Sequence, residues 1–175
     1  SFQRHTSYGH NFLLSELAIA LALGEFERID ELVSIRQEAA REFESVVAGC
    51  DWLIPQNTPQ DHVHSYWTYA MRMIRDDIEW SEMRRLFVSL GGDGYYAAYQ
   101  PVHREPIFPM LSDLVKSNPD RFPHWSGRMP DYRETSSPVW ESIQPYIIML
   151  KTKYFSLDCA RQQAEILAKT IRHFS

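Results

Sequence analysis

The short segment from Tyr8 to Asn11 contains the first residue types that suggest chemistry. Gly9 precedes two polar side chains, His10 and Asn11, at the mouth of an apolar helical segment. This arrangement suits an anion, because a helix N-terminus carries a partial positive charge and free backbone N–H groups. Asn11 is equally suited to cap the helix with its side chain. The residues themselves leave both roles open.

Three histidines suggest a second kind of site. His62 and His64 form a His-x-His pair, and His103 would be the third ligand of a zinc ion. No carboxylate stands at metal-ligand spacing beside the pair, so the pattern favours polar residues at a strand edge.

No serine lies in a Gly-x-Ser-x-Gly elbow, and neither Cys50 nor Cys159 has the sequence context of a nucleophile. We therefore predict no metal site and no hydrolase triad.

The glycine-rich run from Gly91 to Gly94 is similar to a phosphate-binding loop only in its composition. It follows a predicted helix and precedes a predicted strand, whereas a phosphate-cradling loop needs the reverse order. We therefore interpret this run as the C-cap of the preceding helix and a turn.

Hydrophobic periodicity predicts the helices that must position these residues. The segment 11–23 is apolar nearly all round, which is typical of a buried helix, and Gly24 is expected to break it. A long amphipathic helix is predicted over 25–49 and a shorter one over 80–90. The last helix, over 158–174, is predicted from apolar residues that repeat at four, three and four positions: Ala160, Ala164, Leu167 and Ile171.

Aromatic and apolar runs predict three strands, over 64–73, 93–98 and 147–150. The segment 116–137 is polar and without period, which predicts a long loop of the functional or mobile kind. Together these elements predict an α+β fold, in which long helices pack on a small, mainly antiparallel sheet. One face of the first strand is expected to carry four large side chains: Trp67, Tyr69, Met71 and Met73.

Composition and charge exclude several classes of partner. The net charge is −5, and the 18 basic residues are interspersed with acids, so no stripe for nucleic acid is expected. The longest apolar stretch is too short to cross a bilayer. Two cysteines without metal-type spacing are typical of a cytoplasmic protein with free thiols. The start at Ser1, without methionine, suggests a piece of a longer protein.

Four blocks of sequence match the pattern of a known family in the same order. They are Gly9–Leu17 with Glu25–Leu32 and Arg36; His64–Trp67; Gly91–Gly94 with Pro101–Phe108; and Pro138–Pro145. The family pattern for the first block is approximately Gly-Tyr-Asn-x-Arg-Met-Ser-Glu-x-Gln, followed by a helix with Leu-Glu-Arg-Leu-Asp-Glu. The ordered set, which covers most of the chain outside the polar loop, resembles the DegT/DnrJ/EryC1/StrS aminotransferase family.

This resemblance implies the small C-terminal domain of a fold-type-I transferase that depends on pyridoxal phosphate (PLP). Such enzymes are homodimers that commonly move an amino group from glutamate or glutamine to a nucleotide-linked keto sugar, as in the biosynthesis of cell-surface polysaccharides. Their PLP-binding lysine and the acid facing the pyridinium nitrogen lie in a large domain upstream of Gly9. No catalytic residue is expected in this chain, because none of its lysines has the family's Ser-x-x-Lys setting: Lys116, Lys151, Lys153 and Lys169.

The resemblance also implies binding roles for four residues. Asn11 occupies the position of the family asparagine that reaches across the dimer to the PLP phosphate of the partner subunit. His103 stands in the family's Pro-Leu-His position, and with Tyr99 and His10 it is expected to face the substrate, where such groups can bind sugar hydroxyls or phosphate. A packed loop histidine is an equal alternative for His103. Leu13 replaces the family arginine, which removes one contact to a substrate phosphate.

The same resemblance implies the domain organisation. Residues 1–24 are expected to form the end of the large domain and a dimer-contact segment, and residues 25–175 the small C-terminal domain. The expected function is the C-terminal part of a PLP-dependent aminotransferase, inactive alone, with the loop 116–137 long enough to close over substrate. Two alternatives are a non-catalytic sugar-binding or assembly module of the same fold, and a zinc hydrolase that uses the three histidines.

Overall fold

A computed structural model describes residues 14–97 and 99–175 as helices packed on a small antiparallel sheet, which confirms the predicted fold class. Within these residues the helices are α1 (Glu16–Glu27), α2 (Ile29–Val47), α3 (Trp80–Ser89), α4 (Ile107–Ser117), α5 (Pro138–Ile143) and α6 (Leu157–Phe174). The strands are β1 (Leu53–Pro55), β2 (Thr68–Met73), β3 (Tyr96–Ala97) and β4 (Ile147–Lys151). None of the helices in this part of the chain is both long and apolar enough to span a membrane.

The strands form one sheet in the order β1-β2-β4-β3, and every neighbouring pair is antiparallel. At its centre, Tyr69 of β2 pairs with Leu150 of β4, and Met71 pairs with Ile148. Side chains alternate along a strand, so these four residues point to the same face of the sheet, where all of them are buried. The same cluster includes residues of α2 and α6, and the core therefore lies between the sheet and these two helices.

The helix α6 confirms its predicted period. The apolar residues that predicted it are all buried in the structure: Ala160, Ala164, Leu167 and Ile171. In α2 the predicted face is buried only in its second half, at Ala40, Phe43 and Val47. The ring of Phe43 lies 5.8 Å from the ring of Tyr69 and 6.5 Å from that of Tyr154. Phe43 thus joins α2 to the sheet at the centre of the core.

The Gly91-Gly92 pair ends α3, as predicted. The backbone N–H of Gly91 donates to the carbonyl of Val88 at 3.0 Å, and that of Gly92 donates to the carbonyl of Phe87 at 2.9 Å. Gly91 has a φ of +96°, a left-handed conformation that glycine adopts without steric cost. The glycine-rich run is therefore a helix C-cap and not a phosphate loop.

The helix α1 differs from the sequence prediction in its bounds and in its burial. Its N-cap is Ser15, whose hydroxyl accepts from the Ala18 backbone N–H at 3.3 Å, and the helix continues through Gly24 to Glu27. The break lies at Arg28 and not at Gly24. A glycine weakens a helix without ending it, and a Cβ at Gly24 would meet no atom within 4 Å. No residue of α1 is buried by the described part of the chain, so the predicted buried helix is exposed here.

The first predicted strand is shorter than expected, because the chain turns at Tyr66. This residue has a φ of +49°, and its backbone N–H donates to Nδ1 of His64 at 2.7 Å. The strand β2 consequently begins at Thr68. Trp67 is 65% exposed and does not share the buried face with Tyr69, Met71 and Met73.

The predicted strand 93–98 is reduced to β3 for a similar reason. The backbone N–H of Asp93 donates to the side chain of Gln163 at 2.8 Å, and its carboxylate pairs with Lys151 at 2.8 Å. These contacts hold Asp93 against α6 through its backbone N–H and against β4 through its carboxylate, and not by strand pairing. The sequence analysis did not predict β1, α4 or α5. The strand β1 is only three residues long. The helix α4 follows Pro106 and the helix α5 begins at Pro138, positions where proline is compatible with a helix start.

Candidate functional site

A polar cleft of about 530 Å³ lies between two short 3-10 turns, Val102–Arg104 and Tyr132–Glu134, beside the start of α4. His103, a predicted site residue, is part of its wall. The full lining comprises Gln100, His103, Arg104, Glu105, Pro106, Pro109, Tyr132, Arg133 and Thr135. The residues come from segments about thirty positions apart, which α4 brings together.

Prolines determine the backbone on both sides of His103. Pro101 has a φ of −54° and accepts a hydrogen bond from the backbone N–H of Arg104 at 2.8 Å. Pro106 has a φ of −53° and stands at the N-cap of α4. Since the proline ring restricts φ to this region, both ends of the turn are constrained by their residue type. The turn therefore presents His103 and Arg104 in a defined place beside α4.

Glu141 of α5 connects the side chains of His103 and Arg104. Its Oε1 lies 2.9 Å from Nη2 of Arg104 and 3.8 Å from Nε2 of His103. The second distance is too long for a hydrogen bond, and the buried Nε2 has no partner among the described residues. A hydrogen bond from the Ser137 backbone N–H, together with the charges of Arg104 and His103, lowers the pKa of Glu141. Glu141 is therefore an anion that orients Arg104.

The loop 116–137 forms the opposite wall and is attached to α4 by ion pairs. Both terminal nitrogens of Arg133 contact Asp113 of α4, at 3.1 Å and 2.6 Å, and this hydrogen bonding lowers the pKa of Asp113. Lys116 pairs with Asp131 at 2.8 Å. The sequence predicted a functional or mobile loop; in the structure its second half is tied to the helix that precedes it.

Ser112 provides a buried attachment of the same loop. Its side chain is inaccessible to solvent, and its Oγ donates to the Pro130 carbonyl at 2.9 Å. Nearby, the rings of Phe108 and Tyr132 meet edge to face with their centres 5.1 Å apart. The wall that contains Tyr132 and Arg133 is thus packed on α4 through both polar and aromatic contacts.

We predict that Ser112→Ala releases this wall. The substitution leaves the Pro130 carbonyl without its buried donor, which costs about 1–3 kcal/mol. Limited proteolysis with trypsin should then cut the loop faster at Arg121 or Arg128, both of which are exposed. The matched control is Ser117→Ala, at an exposed position of the same helix, which should leave the cutting rate unchanged. Equal rates in the two variants would contradict the role of Ser112.

The other predicted site residues are not brought to this cleft by the described structure. Tyr99 is 69% exposed and does not line the cleft, although it lies four positions before His103. His10, Asn11 and Leu13 lie outside the described residues. The binding roles of Tyr99, His10 and Asn11 therefore stay predictions. The capping alternative for Asn11 does not apply to α1, because the N-cap of that helix is Ser15.

The lysines do not fit a site that holds PLP covalently. All four are exposed, and none lines the cleft: Lys116, Lys151, Lys153 and Lys169. Lys116 pairs with Asp131 and Lys151 with Asp93, both at 2.8 Å. A lysine that forms a Schiff base lies desolvated in a pocket, and none of these four does. No reaction step through PLP can be assigned to the described residues.

The histidines of the zinc alternative do not converge. His62 pairs with Asp61 at 2.8 Å, whereas Nδ1 of His64 accepts from Tyr66, and the shallow pocket that both of them line does not include His103. Across 14–97 and 99–175, no group of three or more His, Cys, Asp or Glu side chains is arranged to hold a metal ion. The described residues give the zinc hydrolase alternative no support.

The sequence analysis assigned a site role to only one lining residue, His103, and it missed both arginines of the cleft, Arg104 and Arg133. Arg104 had a usable signal, since it follows His103 directly within the same family-like block. Arg133 lies in a polar segment without period, and nothing in its local sequence indicates that it faces residue 104. Its position depends on the packing of the loop on α4.

Comparisons with known proteins give a family match and similar solved structures. The model of a family described as the DegT/DnrJ/EryC1/StrS aminotransferase family matches residues 1–142. Helicobacter pylori PseC, described as an aminotransferase involved in the biosynthesis of pseudoaminic acid, superposes with a TM-score of 0.67 at 19% identity, over 97% of this chain and 40% of that chain. The structure of 3-amino-5-hydroxybenzoic acid (AHBA) synthase superposes with a TM-score of 0.61 at 16% identity, over 99% of this chain and 43% of that one.

A search of the curated protein sequences finds no match to this chain. The two structural similarities establish the fold alone, because both identities are low. The chain spans less than half the length of either solved structure.

Proposed function

This chain belongs to the DegT/DnrJ/EryC1/StrS aminotransferase family, and we propose that it is the C-terminal part of a PLP-dependent aminotransferase. The proposed reaction transfers an amino group from glutamate or glutamine to a keto sugar, with the sugar carried on a nucleotide. PLP supplies the electron sink for such a transfer. The observation that carries the proposal is the family match over residues 1–142.

In this proposal, residues 1–24 end the large domain and contact a second subunit, and residues 25–175 form the small domain. The exposure of α1 supports this division, because a helix that is apolar on all sides is stable in water only when other elements cover it. The large domain and the partner subunit of a homodimer would supply that cover. Asn11 is then placed to bind the phosphate of PLP in the partner subunit, and the lysine lies upstream of Ser1.

The cleft around His103 is the proposed contribution of the small domain to substrate binding. Its polar lining suits a ligand rich in hydroxyl and charged groups, and His103 belongs to it. Tyr99 and His10 are proposed to contact the same substrate when the large domain is present. The free thiols of Cys50 and Cys159 are consistent with a cytoplasmic protein, which we also propose.

The test compares this chain with a longer protein that includes the coding region upstream of Ser1. We expect the longer protein to retain PLP through dialysis, to be labelled on one lysine by borohydride trapping, and to aminate a nucleotide-linked keto sugar with glutamate. The 175-residue chain should do none of these. Borohydride labelling of any lysine in the short chain, or a longer protein that neither binds PLP nor transfers an amino group, would overturn the proposal.

A second candidate is a sugar-binding or assembly module of the same fold without catalysis. The observation in its favour is that the core of α2, α6 and the sheet, as well as the cleft, are formed within the described residues. It predicts cooperative melting of the 175-residue chain and a longer protein without a PLP-binding lysine. The borohydride experiment therefore separates the two candidates.

A further inference from the structure

We propose that the cleft around His103 binds an oxyanion, a phosphate or carboxylate group of the ligand, through Arg104 and Arg133. This inference refines the substrate cleft of the proposed function and rests on it for the identity of the natural ligand. The binding itself needs only residues of this chain.

The two arginines come from different segments of the cleft wall, and each pairs with a carboxylate outside the lining. Arg104 is held by Glu141 at 2.9 Å, and Arg133 is held by Asp113 at 2.6 Å. Neither carboxylate is part of the cleft lining, whereas both arginines are. Carboxylates placed behind a binding group fix its orientation while its remaining donors face the ligand. The arrangement therefore presents two preoriented guanidinium groups to one cavity.

Enough hydrogen-bond donors remain for a ligand after these ion pairs are counted. A guanidinium group has five N–H donors; Nη2 of Arg104 lies 2.9 Å from Glu141, and Arg133 donates three hydrogen bonds, two to Asp113 and one to Asp131. The Arg104 and Arg133 side chains are 53% and 50% exposed, so a ligand in the cleft can reach them. The planar fork of arginine matches the geometry of phosphate and carboxylate, which favours an oxyanion over a neutral sugar hydroxyl as the preferred group.

The placement of charge around the cleft also favours an anion. The lining carries two cations, Arg104 and Arg133, and one anion, Glu105. The carboxylates that pair with the arginines, Glu141, Asp113 and Asp131, balance their charge from outside the lining. A ligand in the cleft therefore meets the N–H donors of the guanidinium groups and not the paired carboxylates, and these donors suit an oxyanion.

The experiment is a titration of the full 175-residue chain with inorganic phosphate, with glutarate and with glucose, at constant ionic strength set by potassium chloride. Binding is followed by calorimetry and by shifts of amide signals in NMR spectra. We expect phosphate or glutarate to bind and to shift signals of the two 3-10 turns, while glucose does not. Tighter binding of phosphate identifies a phosphoryl ligand, and tighter binding of glutarate identifies a carboxylate such as that of an amino donor.

Variants assign the binding to the two arginines. Arg104→Gln and Arg133→Gln should each weaken binding at least about tenfold, because each removes a charge-assisted hydrogen bond. The matched control is Arg161→Gln, since Arg161 is equally exposed, at 53%, and is also ion-paired, with Glu42 at 3.1 Å. This control should bind like the unchanged chain.

A further variant separates ligand binding from a purely structural role of Arg133. Asp113→Asn removes the negative charge that opposes Arg133 but keeps a side-chain oxygen that accepts a hydrogen bond from it, so the guanidinium group stays oriented. If Arg133 binds the anion, Asp113→Asn should bind as tightly as the unchanged chain or more tightly; if Arg133 only ties down the loop, binding should fall as in Arg133→Gln. Three results would overturn the inference: weaker binding by Asp113→Asn, no binding of phosphate or glutarate by the unchanged chain, or a loss in Arg161→Gln equal to that in the Arg104 and Arg133 variants. Amino transfer by the longer protein is measured separately, so either proposal can fail alone.

Discussion

Replacing Phe43 with alanine is expected to lower the free energy of unfolding by about 3–5 kcal/mol. The Phe43 side chain is fully buried, and its ring contacts those of Tyr69 and Tyr154, so its removal leaves a cavity between α2 and the sheet. Urea denaturation of the 175-residue chain, followed by circular dichroism, measures the loss. For a domain of this size, such a loss lowers the melting temperature by roughly 6–20 °C.

The matched control for Phe43 is Phe155→Ala. Phe155 has the same side chain but is completely exposed, with a relative accessibility of 108%. Its removal should change the free energy of unfolding by less than about 0.5 kcal/mol. Similar losses in the two variants would show that the packing of α2 on the sheet is not the source of stability.

Gly92→Ala is the second substitution with a large expected effect, a loss of about 2–3 kcal/mol. A Cβ atom at position 92 would lie 2.3 Å from two ring carbons of Phe87 and 2.7 Å from the Phe87 carbonyl oxygen. Phe87 is only 1% exposed, so its ring cannot swing into solvent to make room. The end of α3 would have to shift, which also strains the hydrogen bond from the Gly92 N–H to the Phe87 carbonyl.

Urea denaturation again measures the effect, with Gly49→Ala as the control. Position 49 follows α2 and has no atom within 4 Å of the added Cβ, so this variant should be neutral. Wild-type stability in Gly92→Ala would contradict the close approach of Phe87 to the glycine pair. It would also weaken the interpretation of that pair as a structural cap.

These two substitutions concern the core, whereas the proposed binding site lies outside it. The cleft is built by the segment between β3 and β4, which contains α4, α5 and the two 3-10 turns that line the cleft. It is stabilised by ion pairs and one buried hydroxyl. Surface ion pairs contribute little stability one at a time, so this segment relies on several of them together with the Ser112 hydrogen bond. Substitutions in the cleft should therefore change binding more than they change the unfolding of the core.

The sequence by itself determined the features that depend on local periodicity and residue type. The repeat of Ala160, Ala164, Leu167 and Ile171 predicted α6 and its buried face, since a helix brings such positions to one side. The glycines at 91 and 92 predicted the end of α3, because glycine adopts the left-handed conformation that a C-cap requires. The ordered blocks predicted the family, which the match over residues 1–142 confirms.

Only the tertiary structure decided the features that join distant parts of the chain. The left-handed turn at Tyr66 shortened a strand that alternation alone had extended, because a hydrogen bond to His64 competed with strand pairing. Arg133 faces the same cleft as Arg104 because Ser112 and Asp113 of α4 hold the loop in place. A polar loop has no period, so its side chains acquire a direction only through such contacts, and these cannot be inferred from neighbouring residues.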